Sequence, residues 1–458
     1  MYRGIKKIFS IPDLKKKVIY TVLLLMVVRI GAFIPVPGIN GEMAVNYFKF
    51  VTKGGQNLFQ MLDIFSGGAF GQMTVIALSI MPYITASIVI QVLVALLPSL
   101  KREVKENQET SKRKIGKWTR LLASFLSIIQ ATILARYALQ MNQAQPGIVI
   151  YELFKVQING FPWLFYLIVI LTMTTGTLFL MWLGEQITEK GIGNGISLII
   201  ALGILSQIPS AIGLIIKQLN FQSQQVGQMS LSSLIILSVV FISVIMGTIL
   251  IIQGQRNVPL QYARRIVGNQ DNASSGSHIP LKINYAGVIP VIFASSLLMF
   301  PATISQMLGG LNSSWIQSIA KNLSPGTAIY TSLYAALILF FTYFWTSTQF
   351  HPEQIASDMK KNGAFIPGIR QGKPTQDYLE STMNKITFVG AIFLALIAVL
   401  PTLVSKILNV DMTISHFFGG TSLLILVGVI LDTVQQVDSH LLMNRYDGLM
   451  KRSKSRLR

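Results

Sequence analysis

The stretch that decides the fold is LSSLIILSVVFISVIMGTILII (231–252), which contains no charged side chain. A helix needs about 20 apolar residues to cross the hydrocarbon core of a bilayer, and this stretch has that length. Lipid offers no partners for backbone N–H and C=O groups, so only helices and closed barrels cross it. An uninterrupted apolar run of this length therefore predicts a transmembrane helix.

Nine similar apolar runs lie on either side of this stretch, separated by polar and basic loops. The composition agrees, since 51% of the 458 residues are hydrophobic and 12% are charged, whereas a soluble domain has about 25% charged residues. We expect an all-α membrane protein with ten transmembrane helices, which moves something across a bilayer or acts within one. The ten runs, here called spans 1 to 10, are 17–36, 73–97, 119–140, 160–183, 196–216, 231–252, 285–307, 327–348, 386–408 and 417–438.

The net charge of +20 is concentrated in alternate loops. Thirty of the 38 Lys and Arg residues lie in the two tails and in the loops after even-numbered spans, and seven lie in the opposite loops. This bias predicts that both termini are cytoplasmic. The tail MYRGIKKIFSIPDLKKK has no signal-peptide cleavage site, so we expect it to be retained. Charge alone favours a role in topology and lipid attraction, with docking of an acidic cytoplasmic partner as the alternative.

The polar stretch KQLNFQSQQVGQMS (217–230) separates two groups of five spans. An odd number of spans in each group places the two halves in opposite orientations, so we expect an inverted repeat with a pathway between the halves. The expected divisions are a cytoplasmic tail 1–16, an N-terminal half 17–216, an external hinge 217–230, a C-terminal half 231–438 with long cytoplasmic loops 253–284 and 349–385, and a basic cytoplasmic tail 439–458.

An unusual segment, NLFQMLDIFSGGAFGQMT (57–74), lies between spans 1 and 2. It begins as a short amphipathic helix, because Leu58, Met61, Leu62 and Phe65 recur about one turn apart. It then breaks at Ser66-Gly67-Gly68. The segment is too short to span a membrane and too apolar for an ordinary loop. Two interpretations stay open, a re-entrant segment buried in protein and an interfacial helix lying on the membrane surface.

Side chains typical of catalysis are scarce. The chain has no cysteine, its four histidines are scattered, and GIGNG (191–195) lacks the Lys-Ser/Thr pair of a phosphate-binding loop. Ion-coupled transporters carry acidic residues deep in their spans, and the candidates Asp63, Glu185 and Asp432 have no obvious partner. Arg29 in span 1 is interpreted as a structural residue that bonds carbonyl groups of neighbouring helices. A membrane-embedded enzyme is disfavoured, while a channel and a small-solute transporter both stay open.

Isoleucines recur in four spans, either near the middle or in pairs one helical turn apart. Most residues of this kind face lipid or pack between helices, and this is the favoured interpretation from the pattern alone. The alternative is an apolar constriction that seals a pore against ions. The isoleucines are Ile80, Ile84, Ile196, Ile200, Ile292 and Ile425.

Eight segments, in order along the chain, resemble the SecY family of channel subunits in the bacterial protein-conducting translocon. The resemblance extends from about residue 5 to residue 450. The segments are RIGAFIPVPGI (29–39), DIFSGGA (63–69), IMPYITASIVIQ (80–91), GTLFLMWLGEQITEKGIGNGIS (176–197), GQRNVPLQYARR (254–265), IPLKINYAGVIPVIFASS (279–296), GAFIPGIR (363–370) and FGGTSLLILVGVILD (418–432).

The resemblance implies a clamshell of spans 1–5 and 6–10 around an hourglass pore for unfolded secretory chains. It implies that spans 2 and 7 form a lateral gate that releases signal sequences and transmembrane helices into lipid. It makes residues 58–70 a plug that closes the external funnel, with Leu58, Met61, Leu62, Phe65, Ser66, Gly67 and Gly68 as plug residues. It also replaces the packing interpretation of the six isoleucines, which become the ring at the waist of the pore.

The resemblance further implies docking sites and partners. Arg264 and Arg265 in the first long loop and Arg370 in the second match positions where the SecA motor or the ribosome docks. Many relatives have a second Arg after GQR, whereas this chain has Asn257, which weakens the transfer of ribosome contact. SecE and SecG are implied partner subunits, the inner membrane is the implied location, and no cofactor is implied. The alternative function is a secondary transporter of a small solute.

Overall fold

A computed structural model describes residues 11–52, 58–97, 99–100, 108–150, 162–218, 231–262, 277–307, 318, 322–324, 326–408 and 420–456. Within these ranges the longer regular elements are fourteen helices and three short strands. The helices are α1 (Pro12–Gly31), α2 (Gly41–Thr52), α3 (Leu58–Ser66), α4 (Met81–Leu96), α5 (Gln108–Ala144), α6 (Trp163–Lys190), α7 (Gly195–Ser206), α8 (Ile208–Gln218), α9 (Leu231–Gln253), α10 (Ile289–Met307), α11 (Ala328–Gln349), α12 (Pro352–Lys361), α13 (Lys373–Leu408) and α14 (Thr421–Arg456). The strands are β1 (Gln255–Tyr262), β2 (Ser277–Lys282) and β3 (Ala364–Phe365).

Every predicted span coincides with a helix. Spans 1 to 5 correspond to α1, α4, α5, α6 and α7 with its continuation α8, and spans 6 to 10 correspond to α9, α10, α11, α13 and α14. Seven stretches of the described helices are long and apolar enough to cross a membrane, and α4 and the first part of α10 are shorter apolar helices. The helix of span 1, α1, is in neither group. It contains the run Lys15, Lys16 and Lys17 near its start, which lowers its hydropathy.

The start of span 2 differs from the prediction. Residues 73–80 form turns instead of helix, and Met73 and Ser79 adopt positive φ angles of 48° and 53°. Helix α4 begins only at Met81, with a proline in its first turn. Apolar composition predicted this stretch as helix because hydropathy reports burial from water and carries no information on backbone conformation. The run 196–216 is likewise divided, since Pro209 at the start of α8 cannot donate a backbone hydrogen bond.

The two halves repeat one packing pattern. In the N-terminal half, α4 packs on α5, α5 on α6, α6 on α7, and α1 on both α6 and α7. In the C-terminal half, α10 packs on α11, α11 on α13, α13 on α14, and α9 on both α13 and α14. These are the same five pairs when span 1 is matched to span 6, span 2 to span 7, and so on. The internal repeat, which is not visible in the residues, is therefore expressed in the helix contacts.

Two symmetric seams join the halves. At one seam α4 packs against α10, and at the other α7 packs against α14. These pairs are span 2 with span 7 and span 5 with span 10. Each seam therefore joins two helices that occupy equivalent positions in the two halves. The predicted hinge cannot be described, because residues 219–230 lie outside the described residues.

The two long loops that follow spans 6 and 8 meet in one small sheet. Strand β1 pairs antiparallel with β2 of the same loop and with β3 of the second loop. A separate apolar cluster lies beneath the sheet and joins it to α12 and to the first turns of α13. Its buried members are Val258, Leu281, Phe350, Met359, Ala364, Ile366, Leu379 and Met383.

Candidate functional site

The six isoleucines lie in or against one large hydrophobic cluster. They come from four helices: Ile80 immediately precedes α4 and Ile84 lies on it, Ile196 and Ile200 lie on α7, Ile292 on α10 and Ile425 on α14. Five are buried in one hydrophobic cluster, and the half-buried Ile196 packs against it. Because two of the helices belong to each half, this cluster lies where the halves meet.

The chemistry of this cluster suits a seal. Ile80 stands one turn before Ile84, whose N–H donates to the Ile80 carbonyl oxygen at 3.1 Å, so both side chains lie on one face of α4. Apolar side chains contribute no fixed charge and no hydrogen-bonding group. A narrow neck lined by such groups opposes wetting and the passage of ions. The role of the six residues as a pore ring stays a prediction from the resemblance.

The short helix α3 lies inside the protein. Met61 and Phe65 are 7% and 5% exposed and belong to the same hydrophobic cluster as the isoleucines, with Leu62 packed against it. Helix α3 packs against α7 of one half and α10 of the other. This burial favours the re-entrant segment over a helix on the membrane surface. The side chain of Leu58 lies outside the described residues.

The predicted break at Ser66-Gly67-Gly68 is the end of α3. Gly67 N–H donates to the Ile64 carbonyl at 3.2 Å and Gly68 N–H donates to the Asp63 carbonyl at 2.9 Å, which is the hydrogen-bond pattern of a Schellman helix end. Gly67 and Gly68 have φ angles of +69° and +91°, which side chains with a Cβ disfavour. A Cβ on Gly67 would also lie 3.0 Å from the Cα of Gly203 on α7, so these glycines let the backbones approach.

Hydrogen bonds hold this helix end against α1 and the end of α7. Arg29 Nη1 donates to the Gly67 carbonyl oxygen at 2.8 Å, and Ser206 Oγ lies 3.2 Å from the same oxygen. The predicted bond from Arg29 to a neighbouring carbonyl group is therefore confirmed, whereas its structural role stays a prediction. Gln207 Nε2 lies 3.4 Å from Asp63 Oδ2, and Asp63 Oδ1 accepts a hydrogen bond from Gly71 N–H at 2.8 Å. Burial raises the pKa of Asp63 to about 6, and these hydrogen bonds oppose the rise.

The other acidic candidates lie apart from this region. Glu185 pairs with Arg120, with 2.9 Å between Nε and Oε1. Asp432 of α14 lines a cavity of about 200 Å³ together with Lys282, Asn284 and other residues. Among the described residues, no group of three or more His, Asp or Glu side chains could hold a metal ion. The three acidic candidates therefore do not form a shared ion-binding site.

Of the predicted docking residues, only Arg370 can be located. It is exposed in the turn that follows β3, and Thr375 Oγ1 donates to its carbonyl oxygen at 2.8 Å. Asn257 is exposed on β1 opposite Pro280. Arg264 and Arg265 lie outside the described residues. The β1–β3 pairing places the described parts of the two loops side by side.

Residue patterns alone did not identify the polar residues that join the elements. The GIGNG loop, considered only as a phosphate site, connects both halves, since Gly193 N–H donates to Gln436 Oε1 of α14 at 2.8 Å. Ile192 N–H donates to Thr21 Oγ1 of α1 at 3.0 Å. Ser206 and Gln207, which contact the end of α3, were also missed. Single polar residues within apolar helices carry no periodic signal, so the sequence could not reveal these contacts.

Comparisons with known proteins agree with the resemblance. The SecY family model matches residues 74–434. A protein translocase subunit SecY of Chlamydia trachomatis is 57% identical over 450 residues, which cover 98% of each chain. A solved structure of a protein-conducting channel is 22% identical with a TM-score of 0.62, covering 92% of this chain and 91% of that one.

A second solved structure has a TM-score of 0.60 at 21% identity and covers the same shares of the two chains. It is described as showing that the plug domain of SecY stabilises the closed state of the translocation channel and maintains a membrane seal. At this identity the two structures establish the fold, a clamshell of two inverted five-helix halves. The family match and the 57% identity to SecY of Chlamydia trachomatis over nearly the full length show that this chain belongs to the SecY family.

Proposed function

We propose that this chain is a protein-conducting channel, which translocates unfolded secretory polypeptides across the membrane between its two halves. The observation that carries the proposal is the convergence of six isoleucines from both halves in one apolar cluster, against which α3 packs. The ring Ile80, Ile84, Ile196, Ile200, Ile292 and Ile425 surrounds the moving chain, and residues 58–70 are the plug. A ring without charges binds no particular side chain strongly, so a polypeptide of any sequence passes.

The seam between α4 and α10 is the proposed lateral gate. A hydrogen bond between the two helices is weak, since Ser296 Oγ lies 3.9 Å from Met81 Sδ. Separation of these helices breaks few polar contacts and exposes the channel interior to lipid. An apolar signal sequence or transmembrane helix then partitions into the bilayer, because its burial in hydrocarbon is favourable.

The proposed energy source lies outside the chain. Arg370, with Arg264 and Arg265, contacts the SecA ATPase or the ribosome, and the sheet that joins the two loops transmits the contact to α10 and α13. SecE and SecG are the proposed membrane partners. The chain itself is proposed to have no enzymatic activity and no cofactor. It lies in the inner membrane with both termini cytoplasmic, as the distribution of Lys and Arg supports.

The proposed division of the chain follows from these roles. Residues 17–216 and 231–438 are the two moving halves, 217–230 is the external hinge, and the loops 253–284 and 349–385 carry the docking residues. The tails 1–16 and 439–458 are cytoplasmic. The alternative, a small-solute transporter, requires binding groups at the centre, where the described side chains are mainly isoleucines and other apolar residues.

The deciding experiment is ion conductance in planar bilayers. The purified translocase complex is compared with the same complex lacking residues 58–70. We expect the intact channel to be silent and the deletion to produce large, fluctuating conductance, because removal of the plug leaves only the apolar ring. If both stay silent while a small solute is exchanged across vesicles, the channel proposal is wrong and the transporter is supported.

A further inference from the structure

Arg29 is a cationic side chain in the last turn of a transmembrane helix. Such residues are costly within a membrane unless their donors are satisfied, and they usually mark a functional site. Arg29 is half-buried, and its guanidinium carbon lies 4.6 Å from the centroid of the Phe33 ring. The ring contact positions the guanidinium group, and Nη1 then reaches the Gly67 carbonyl at 2.8 Å.

The other contacts of the plug end are weaker than this one. Ser206 has a single hydroxyl proton, and its oxygen lies 2.7 Å from the Gly203 carbonyl but 3.2 Å from that of Gly67. The proton is therefore directed mainly to Gly203. Gln207 Nε2 is 3.4 Å from Asp63 Oδ2, which is a long hydrogen bond. The strongest of these bonds is the one from Arg29, since it is short and its donor is charged.

The Gly67 carbonyl is a suitable acceptor for a releasable contact. It belongs to the first residue after α3, so it is not needed for the hydrogen bonds within that helix. A single displacement of the plug removes this oxygen from Arg29 without disturbing the hydrogen bonds within α1. The contact also ties the plug to the N-terminal half, because Arg29 and Ser206 both belong to that half.

We propose that Arg29 is a positioning residue that latches the plug to the N-terminal half through the Gly67 carbonyl, and that this bond breaks when the channel opens. The proposal rests on the proposed plug function of residues 58–70. It predicts that the plug keeps its position against α1 and α7 while the halves separate at the α4–α10 seam. Release of the bond then frees the plug to leave the pore.

The test measures resting conductance of the complex in planar bilayers with Arg29→Met and Arg29→Lys. Met keeps an unbranched apolar side chain but cannot donate, so we expect the open fraction of the resting channel to rise about tenfold or more. Lys retains one charged donor and should preserve most of the closed state. Each variant is also combined with deletion of residues 58–70, where Arg29→Met should add nothing because its partner is absent.

A second readout follows the plug directly. The chain has no cysteine, so Leu62→Cys introduces a unique thiol on the plug. We expect a membrane-impermeant maleimide added outside sealed vesicles to label this thiol about tenfold faster when Arg29→Met is also present. The Arg29→Lys variant should label at nearly the rate of the Leu62→Cys parent.

The outcomes separate the latch from the plug. Deletion of residues 58–70 without any conductance would refute the plug itself. If the deletion opens the channel but Arg29→Met changes neither conductance nor labelling, the plug stands and the latch is wrong. A rise in conductance from Arg29→Met that is equally large in the deletion background would also overturn the latch, because Arg29 would then support the pore walls.

Discussion

At the residue scale, Asp63 is the most unusual group of the proposed plug segment. It lies half-buried on α3, beside the turn at Gly71 and Gln207, and desolvation raises its pKa from the ordinary value of 3.8 to about 6. Its two named hydrogen bonds come from neutral donors, and Arg29 contacts the same segment at the Gly67 carbonyl. The docked plug therefore binds a proton more tightly than a plug released into water.

This difference predicts that acid strengthens the closed state. The ionised carboxylate penalises docking above pH about 6, and the penalty disappears as pH falls from about 6 towards 4. Between pH 7 and pH 5 the docking equilibrium should shift about tenfold towards the closed state. The measurement is resting conductance against external pH. In Asp63→Asn the neutral side chain still accepts from Gly71, so conductance should stay low and lose its pH dependence; an unchanged profile would contradict the role of Asp63.

At the element scale, glycines decide how closely the helices pack. A Cβ on Gly176 of α6 would overlap the Val75 carbonyl oxygen in the turns before α4. The obstacle is backbone, which cannot rotate away as a side chain does. These turns hold Ser79 and Ile80, so the position of the first isoleucine of the ring depends on this contact. Gly116 of α5, in contrast, would meet nothing within 4 Å.

The two glycines form a matched pair for mutagenesis. Gly176→Ala should destabilise the protein by about 1–3 kcal/mol or more, because the helix and the turns must separate. Gly116→Ala should be neutral or stabilising by up to about 1 kcal/mol, since alanine has the higher helix propensity. Thermal unfolding in one detergent compares the two variants with the parent chain. Equal melting temperatures for both variants would show that the α6 contact is not tightly packed.

At the scale of the whole molecule, the two symmetric seams differ in strength. The α7–α14 seam is supported by a short hydrogen bond from the adjoining Gly193 N–H to Gln436, whereas the α4–α10 seam has the weak Ser296–Met81 contact. Oxygen is a much better acceptor than thioether sulfur. When the halves separate, the α4–α10 seam is therefore expected to open while the α7–α14 seam holds.

A cross-link across the weaker seam tests this asymmetry. A short bifunctional thiol reagent joins the cysteines of a Met81→Cys, Ser296→Cys double variant. This cross-link should slow the release of a transmembrane helix into lipid at least tenfold. The reagent applied to each single-cysteine variant is the control, because the chain has no other cysteine. Release of the substrate into lipid is measured by an extraction assay on the vesicles. Normal release from the cross-linked channel would mean that the exit lies elsewhere.

The amino-acid sequence by itself determined the spans, their all-α character and the expected topology. Bilayer thickness fixes the length of an apolar helix, and the charge bias predicts its orientation, so both are readable from local composition. The break at Ser66-Gly67-Gly68 was predictable for the same reason, since glycine acts on the local backbone. The resemblance of the eight segments to the family also predicted the six isoleucines as a pore ring, although the pattern alone favoured simple packing.

Only the tertiary structure decided which residues meet. The partner of Arg29 lies 38 positions away, and the partner of Gly193 lies 243 positions away. No local rule selects such pairs, because they depend on how the two halves pack. The non-helical start of span 2 also required the structure, since residues 73–80 are as apolar as a helix would be but form turns against α6. Local physics determined the helices, and the packing of distant helices determined the isoleucine cluster, the contacts of α3 and the two seams.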